Sequence, residues 1–267
     1  MSRTVGLFDR PFIRLPEPHA NLVIATPSLD DVDSSVRIVN NPRVLKWVLG
    51  STSPYTTKRA EDWINGVKKI SEELLQAPLN AHVDGCPFRH IMDLEADGTC
   101  EFIGDIGISR SNWTDITDQE ERRRLLEENS LRPVGEQAIL FQVGYYLSPA
   151  YQGRGIMTSA LSTLLTQWAI PRMNAHKIKA TLFQGNLGSR AVLTRNGFTQ
   201  IRKVEKYKEL DGDITDLFVF EWTRDQVAPC PPSATGEDLA SHLAYQCPHG
   251  DEAVPLQSTS SGLKTSV

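Results

Sequence analysis

The order of apolar and polar positions along the chain predicts alternating strands and helices. Short apolar segments bounded by turn residues indicate strands at residues 21–26, 88–94, 100–108, 138–147, 176–183, 198–206 and 214–222. Apolar side chains that recur at helical spacing, or capping residues, indicate helices at residues 28–39, 57–76, 157–168 and 186–196. The resulting order predicts an α/β (α+β) fold of three layers, in which helices flank a mixed central sheet of about seven strands.

The helix at 57–76 has the clearest periodicity in the chain. Its predicted buried stripe consists of Ala60, Trp63, Ile64, Val67, Ile70 and Leu74. This spacing predicts an amphipathic helix with one apolar face.

Composition divides the chain into one domain and two flanks. The domain is expected at residues 20–223. Residues 1–19 contain three prolines and are expected to form an irregular lead-in, while the Pro- and Ser-rich residues 224–267 are expected to be a disordered tail. A densely charged insertion at 110–136 indicates a solvated surface helix, with a lid beside the substrate entrance as the alternative.

Charge and cysteine content exclude several classes of protein. The formal net charge of -5 argues against nucleic acid as a partner. No apolar run approaches the roughly 18 residues of a membrane span, and the N-terminus lacks the apolar segment of a secretory signal. Four cysteines without CxxC spacing favour neither a metal site nor a disulfide framework. We therefore expect a cytoplasmic protein without metal, and leave access to the nucleus open.

A glycine-rich turn, Gln152 to Met157, joins a predicted strand to a predicted helix. Free backbone N–H groups and the helix dipole at such a position favour a phosphate. Glycine permits close approach of the backbone to a ligand. The turn is neither a Walker loop nor GxGxxG, because no Gly-Lys-Ser/Thr follows and Thr158 stands in place of the third glycine. A plain connection between a strand and a helix is the alternative.

Two motifs resemble the GNAT superfamily of N-acetyltransferases. Gln152-x-x-Gly155-x-Met157 is similar to the family's pyrophosphate loop, except that Met157 replaces the usual glycine or alanine. Asn186-x-x-Ser189, followed by Asn196-Gly197-Phe198, is similar to a second family segment. Short segments such as Asn41-Pro42 also resemble the ribosomal-protein (Rim-type) branch of this superfamily. From about residue 20 to 223, the order of predicted strands and helices is similar to that of the superfamily.

The resemblance implies acetyl-CoA as co-substrate. Backbone N–H groups of the turn would bind the pyrophosphate, Arg154 would add a charge contact, and Asn186 would reach the pantetheine or cap its helix. Backbone groups at the end of the central strand would bind the acetyl carbonyl and the pantetheine. The implied binding residues are Tyr145, Leu147, Gln152, Gly153, Arg154, Gly155, Ile156, Met157 and Asn186.

Proton transfer is the second requirement of acetyl transfer. Leu193 occupies the position where many family members have a tyrosine acid, so the resemblance makes Ser189 the candidate donor to the leaving thiolate. A backbone hydrogen bond within the helix is the competing role of this serine. Gln142 stands where relatives often have a carboxylate base, and Asp105 and Glu136 are the nearest carboxylates in sequence. No base is assigned.

The predicted function is an acetyl-CoA-dependent N-acetyltransferase. The acceptor, a primary amine of a protein N-terminus or of a small molecule, would attack the thioester directly. The alternative is a GNAT fold that binds acyl-CoA or a partner without catalysis, which the residues at 142, 157 and 193 support.

Overall fold

The computed structural model describes residues 10–48, 54–95, 99–210 and 213–224. Apart from Arg224, the predicted tail at 224–267 lies outside the described residues, so the expectation that it is disordered stays a prediction.

The centre of the protein is one mixed sheet of eight strands in the order β1-β2-β3-β4-β5-β6-β8-β7. The strands are β1 Phe12–Arg14, β2 Leu22–Ala25, β3 His90–Leu94, β4 Cys100–Arg110, β5 Leu140–Leu147, β6 Lys177–Phe183, β7 Thr199–Leu210 and β8 Asp213–Thr223. Only β5 and β6 run parallel, and all other neighbours are antiparallel. The predicted mixed sheet is confirmed.

The additional strand is β1, within the segment expected to be irregular. Its Ile13 lies opposite Ile24 of β2 and is buried. The expectation of an irregular lead-in is therefore wrong for residues 12–14. A strand of three residues is too short to show an alternating pattern, so only pairing with β2 reveals it.

Helices cover both faces of the sheet. They are α1 Val32–Val39, α2 Pro42–Leu45, α3 Thr57–Leu75, α4 Gln119–Ser130, α5 Ile156–Leu164, α6 Ile170–Met173 and α7 Leu187–Arg195. Apolar side chains of α1, α2 and α3 form clusters on one face, and those of α5, α6 and α7 form the main core on the other. These clusters produce the predicted three layers. None of the helices in the described part of the chain is long and apolar enough to cross a membrane.

Helix α3 differs from its predicted stripe. Thr56 caps it by accepting a hydrogen bond from the amide of Arg59, and Ala60 and Ile64 are buried as expected. Trp63 and Ile70, however, are 52% and 54% exposed, so the prediction that they are buried is wrong. Helical spacing predicted Trp63 to be in the core, but its side chain lines a cavity instead.

The charged insertion contains α4, whose surface is mostly exposed. The side chain of Asn129 anchors it to β5, since it accepts from the amide of Leu140 and donates to the carbonyl of the same residue, both at 3.0 Å. This exposure agrees with the interpretation of a surface helix. The residues before α4, in contrast, approach the sheet, as described below.

The parallel pair β5–β6 is split. Its register extends only over Leu140–Gln142 and Lys177–Lys179. Beyond these residues β5 continues beside β4 to Leu147, while β6 continues beside β8 to Phe183. The two strands therefore separate, and an opening forms between them in the middle of the sheet.

A buried network joins β3 to the start of α1. Asp31 lies 2.6 Å from Nδ1 of His90 and 2.7 Å from Nη1 of Arg10. Burial by itself would raise the pKa of Asp31, but His90 and Arg10 together outweigh it and lower this pKa. The carboxylate therefore stabilises the fold.

We expect Asp31→Asn to lower the free energy of unfolding by about 3 kcal/mol at pH 7, because it leaves Arg10 buried without its anion. Since the folded-state pKa lies below the ordinary 3.8, the contribution is complete above that pH and disappears as the pH falls through the folded value. Urea unfolding at a series of pH values measures both effects. The exposed neighbour Asp33→Asn is the control, and an equal loss in both variants would contradict the assignment.

Candidate active site

The glycine-rich turn has the backbone conformation that only glycine adopts easily. Gly153 and Gly155 have φ of 78° and 82°, in the left-handed region. Gly155 directly precedes α5, whose first intrahelical bond runs from the amide of Ser159 to the carbonyl of Gly155. Nε2 of Gln152 donates to the carbonyl of Leu147 at 2.9 Å. The turn is thereby fixed against the end of β5, and the first amides of α5 lack intrahelical acceptors.

A cavity of about 480 Å³ lies between this turn, the separated ends of β5 and β6, and α7. It brings together nearly all residues that the sequence analysis singled out, namely Tyr145, Leu147, Gln152, Gly153, Gly155, Ile156, Met157, Asn186 and Ser189. We call it the first cavity.

Arg154 is the exception. Its side chain is exposed, with the guanidinium 5.4 Å from the ring centroid of Tyr151, and it does not line the first cavity. The contact of Arg154 with a phosphate stays a prediction. Two other arginines, Arg43 of α2 and Arg195 of α7, do line the cavity. No motif in the sequence indicates them, because only the fold brings α2 beside the turn.

Ser189 lies in the first cavity next to a phenol. The hydroxyl oxygen of Tyr145 lies 2.8 Å from Oγ of Ser189, and it donates to the carbonyl of Ser189 at 3.3 Å. Burial raises the pKa of Tyr145, and the hydrogen bond with Ser189 opposes this only in part, so the phenol keeps its proton. Asn186 caps α7 by accepting from the amide of Ser189 at 3.0 Å. Tyr145 thus contacts the Ser189 hydroxyl, and Asn186 fixes the start of the helix that carries Ser189.

Two departures from the family pattern have a packing explanation. Leu193 is fully buried and Met157 is 6% exposed, and both belong to the main core. A tyrosine at 193 would therefore overpack the core, which typically costs about 1–3 kcal/mol. Tyr145 instead supplies a phenolic hydroxyl to Ser189 from β5.

A second cavity, of about 650 Å³, lies on the α3 face of the sheet. Its floor contains Gly107 of β4 and Gly144 of β5, which are opposite each other, and Trp63 and Tyr55 also line it. A Cβ on Gly144 would meet nothing within 4 Å, so bare backbone faces open space. The floor is therefore open at Gly144, whereas the Arg89 side chain covers it at Gly107.

The two cavities meet at the opening between β5 and β6. The residues that line both are Trp47, Val48, Val143, Gly144, Tyr145, Tyr146, Ala180 and Thr181. A molecule in one cavity can therefore reach a molecule in the other through the split strands. Trp47 and Val48, which follow α2, were missed by the sequence analysis because no local pattern marks them.

The two candidate carboxylates, Asp105 and Glu136, lie in different parts of the structure. Asp105 is 5% exposed and lines the second cavity. Glu136 instead forms an ion pair with Arg132 at 2.7 Å and lines neither cavity. Oε1 of Gln142 accepts from the amide of Asn112 at 2.8 Å, so this side chain holds the loop before α4. Of these residues, only Asp105 is a carboxylate that lines one of the two cavities.

Comparison with solved structures shows which proteins share this fold. RimL, a ribosomal L7/L12 alpha-N-protein acetyltransferase in complex with coenzyme A, superposes with a TM-score of 0.56 at 17% identity, over 81% of this chain and 99% of that chain. RimJ from Mycobacterium smegmatis, in complex with CoA-disulfide, gives 0.55 at 20% identity, over 87% and 93%. This chain therefore shares its fold with these two proteins.

Comparison of the sequence with protein families identifies the family of this chain. The acetyltransferase (GNAT) domain family matches residues 21–199, which is most of the chain. The protein belongs to the GNAT acetyltransferase family. A probable N-acetyltransferase, YjcK from Bacillus subtilis (strain 168), is 36% identical over 70 residues, which are 26% of this chain and 38% of that protein. The match thus spans less than half of that relative.

Proposed function

We propose that the protein transfers the acetyl group of acetyl-CoA to a primary amine. The observation that carries this proposal is the junction of two cavities at the split between β5 and β6. One cavity ends at a turn suited to phosphate, and the other is open on the opposite face of the sheet. A donor and an acceptor that enter from opposite faces meet at the backbone of Gly144 and Tyr145.

The first cavity fits coenzyme A. Backbone amides from Gln152 to Met157 would bind the pyrophosphate at the start of α5, where the helix dipole favours negative charge. Thr158 adds support, because its buried Oγ1 has no hydrogen-bond partner among the described residues although the residue lines the cavity. Asn186 and the backbone of Tyr145 and Leu147 would hold the pantetheine arm.

Bound acetyl-CoA supplies an activated thioester carbonyl. In the proposed step the amine nitrogen attacks this carbonyl, the C–S bond breaks, and the thiolate leaves. Backbone amides at the exposed end of β5 would polarise the carbonyl oxygen. Ser189 would donate its hydroxyl proton to the thiolate and regain one, through water, from the nitrogen that becomes an amide. Tyr145 fixes where that hydroxyl lies.

The direct test is thiol release from acetyl-CoA over a panel of primary amines and peptides. We expect release that depends on one class of amine and a product that is acetylated at nitrogen. The absence of a carboxylate at 142 and of a tyrosine at 193 favours a second candidate, a protein that binds acyl-CoA without turnover. Tight binding of acetyl-CoA by calorimetry, without thiol release for any amine, would establish that candidate instead.

A further inference from the structure

The wall of the second cavity carries a buried pair of opposite charges, Arg89 and Asp105. Nη2 of Arg89 donates to Oδ1 of Asp105 at 2.9 Å, and Nε donates to Oδ2 at 3.3 Å. The two side chains are only 14% and 7% exposed. Both line the cavity, so a bound acceptor meets a cation and an anion side by side.

The guanidinium of Arg89 is held over the cavity floor. A Cβ on Gly107 would lie 2.0 Å from Nη1 and 2.3 Å from Cζ, so the guanidinium rests directly on the glycine backbone. Its Cζ lies 5.5 Å from the ring centroid of Trp63. Within the described part of the chain, Nη1 has no hydrogen-bond partner. Its N–H groups are available to a ligand in a fixed position.

The charged pair lies next to the opening between the strands. Gly107, under Arg89, is opposite Gly144, which lines both cavities, and Asp105 is opposite Tyr146. A group that contacts Asp105 is thus one strand away from the place where the thioester would lie. This proximity suits Asp105 to the reacting amine rather than to a distant part of the acceptor.

The remaining charges of the second cavity disfavour a polycationic acceptor. Among the described residues, its lining contains four basic residues and two acidic ones: Arg59, Arg89, Lys179, Lys208, Asp105 and Asp115. The Asp115 carboxylate is engaged by both Lys179 and Arg202. A second ammonium group on the acceptor would meet excess positive charge, whereas a carboxylate would be attracted.

We propose that the acceptor is a free α-amino acid. Its α-carboxylate binds Nη1 of Arg89, and its α-amine binds the carboxylate of Asp105. The neighbouring charges of the protein pair match the neighbouring charges of the zwitterion. A peptide N-terminus has an amide in place of the carboxylate and would leave Arg89 without this contact. The inference rests on the proposed acetyl transfer, whose acceptor it names.

The step balances with these residues. The ammonium gives one proton to the Asp105 carboxylate or to water, and the neutral amine then attacks the thioester. The new C–N bond replaces the C–S bond, and the thiolate takes a proton from Ser189. The nitrogen loses its second proton as it becomes an amide, and this proton returns through water to the Ser189 oxygen. The products are an N-acetyl amino acid, the free thiol and the one proton that the ammonium gave up first. No oxidant, reductant or metal takes part.

The first experiment compares matched acceptors with the full chain at saturating acetyl-CoA. The panel holds each free amino acid, its carboxamide, and a dipeptide with the same N-terminal residue. We expect one or more free amino acids to be acetylated, with kcat/KM at least about 10- to 100-fold above that of the matched carboxamide. The carboxamide lacks the charged hydrogen bond to Arg89, and loss of such a bond typically has an effect of this size. Equal rates for amino acid and carboxamide, or a preference for the dipeptide, would overturn the inference while acetyl transfer stands.

A binding measurement separates this inference from the proposed function. Titration of the accepted amino acid, or of pooled amino acids, into the protein–CoA complex is followed by calorimetry. Binding of the amino acid but not of its carboxamide supports the inference even if no thiol is released. Binding of neither overturns it.

Variants of the charged pair locate the contact. Arg89→Gln is expected to raise KM for the amino acid by about 10-fold or more and to remove most of the preference for the amino acid over its carboxamide. Because this change leaves Asp105 buried without its partner, the double variant Arg89→Gln/Asp105→Asn provides a neutral pair that tests the same loss of discrimination. Arg37→Gln, on the exposed side of α1, is the control. Undiminished discrimination in a folded double variant would overturn the inference.

Discussion

Replacing Gly155 with glutamate is expected to weaken binding of acetyl-CoA by about 100-fold or more. Gly155 has φ of 82°, where a side chain is strained by roughly 1–3 kcal/mol. The new carboxylate would stand at the start of α5, where the pyrophosphate is proposed to bind, and would repel it. Calorimetric titration of acetyl-CoA into the folded variant measures the effect.

The controls for this variant separate charge from strain. Gly155→Ala adds the strain without the charge and should bind with intermediate affinity. Gly66→Glu makes the same substitution on the exposed side of α3, where a Cβ meets nothing within 4 Å, and should bind like the parent. Unchanged affinity in a folded Gly155→Glu protein would sink the assignment of the turn to the pyrophosphate.

Replacing Ser189 with alanine is expected to lower kcat by at least about 10-fold, since general acid catalysis typically contributes about 10²- to 10⁴-fold and water can replace part of it. Affinity for acetyl-CoA should change little, because the pyrophosphate turn lies elsewhere in the cavity. The measurement is thiol release at saturating acetyl-CoA with the accepted amine. A rate within twofold of the parent would remove Ser189 from the mechanism.

Tyr145→Phe tests whether Ser189 or Tyr145 donates the proton to the thiolate. The phenol contacts Oγ of Ser189 at 2.8 Å, so its loss should lower kcat by a smaller factor and add little to Ser189→Ala in the double variant. A larger loss for Tyr145→Phe than for Ser189→Ala would assign the proton donor to the phenol. Thr194→Ala, exposed on the same helix, is the control.

Much of the fold was predictable from local pattern. The long apolar segments became strands, and helix α3 begins and ends within one residue of its predicted limits. These elements are decided by side-chain periodicity and by capping, which act within a few residues. Strand β1 was missed because its three residues carry no period, and Trp63 was assigned to the core because spacing alone does not tell a cavity from a core.

Part of the candidate site was predictable for the same reason. The predicted site lies mainly in two short motifs, the turn from Gln152 to Gly155 and the segment that contains Asn186 and Ser189. The residue types in both motifs reflect requirements of the local backbone, which a sequence pattern can show. Nine of the ten predicted site residues line the first cavity, Arg154 being the exception. That placement supports their proposed roles without testing them, which requires the variants described above.

The sequence by itself determined the elements, their order and the glycine-rich turn, because each depends on neighbours within about one helical turn or one strand. Only the tertiary structure decided the split between β5 and β6, the phenol of Tyr145 beside Ser189, and the pair of Arg89 and Asp105 above Gly107. These features join residues that are 16 to 44 positions apart or lie on different strands. Contacts at such separation depend on pairing register and on packing across the sheet, which no local pattern of residues specifies.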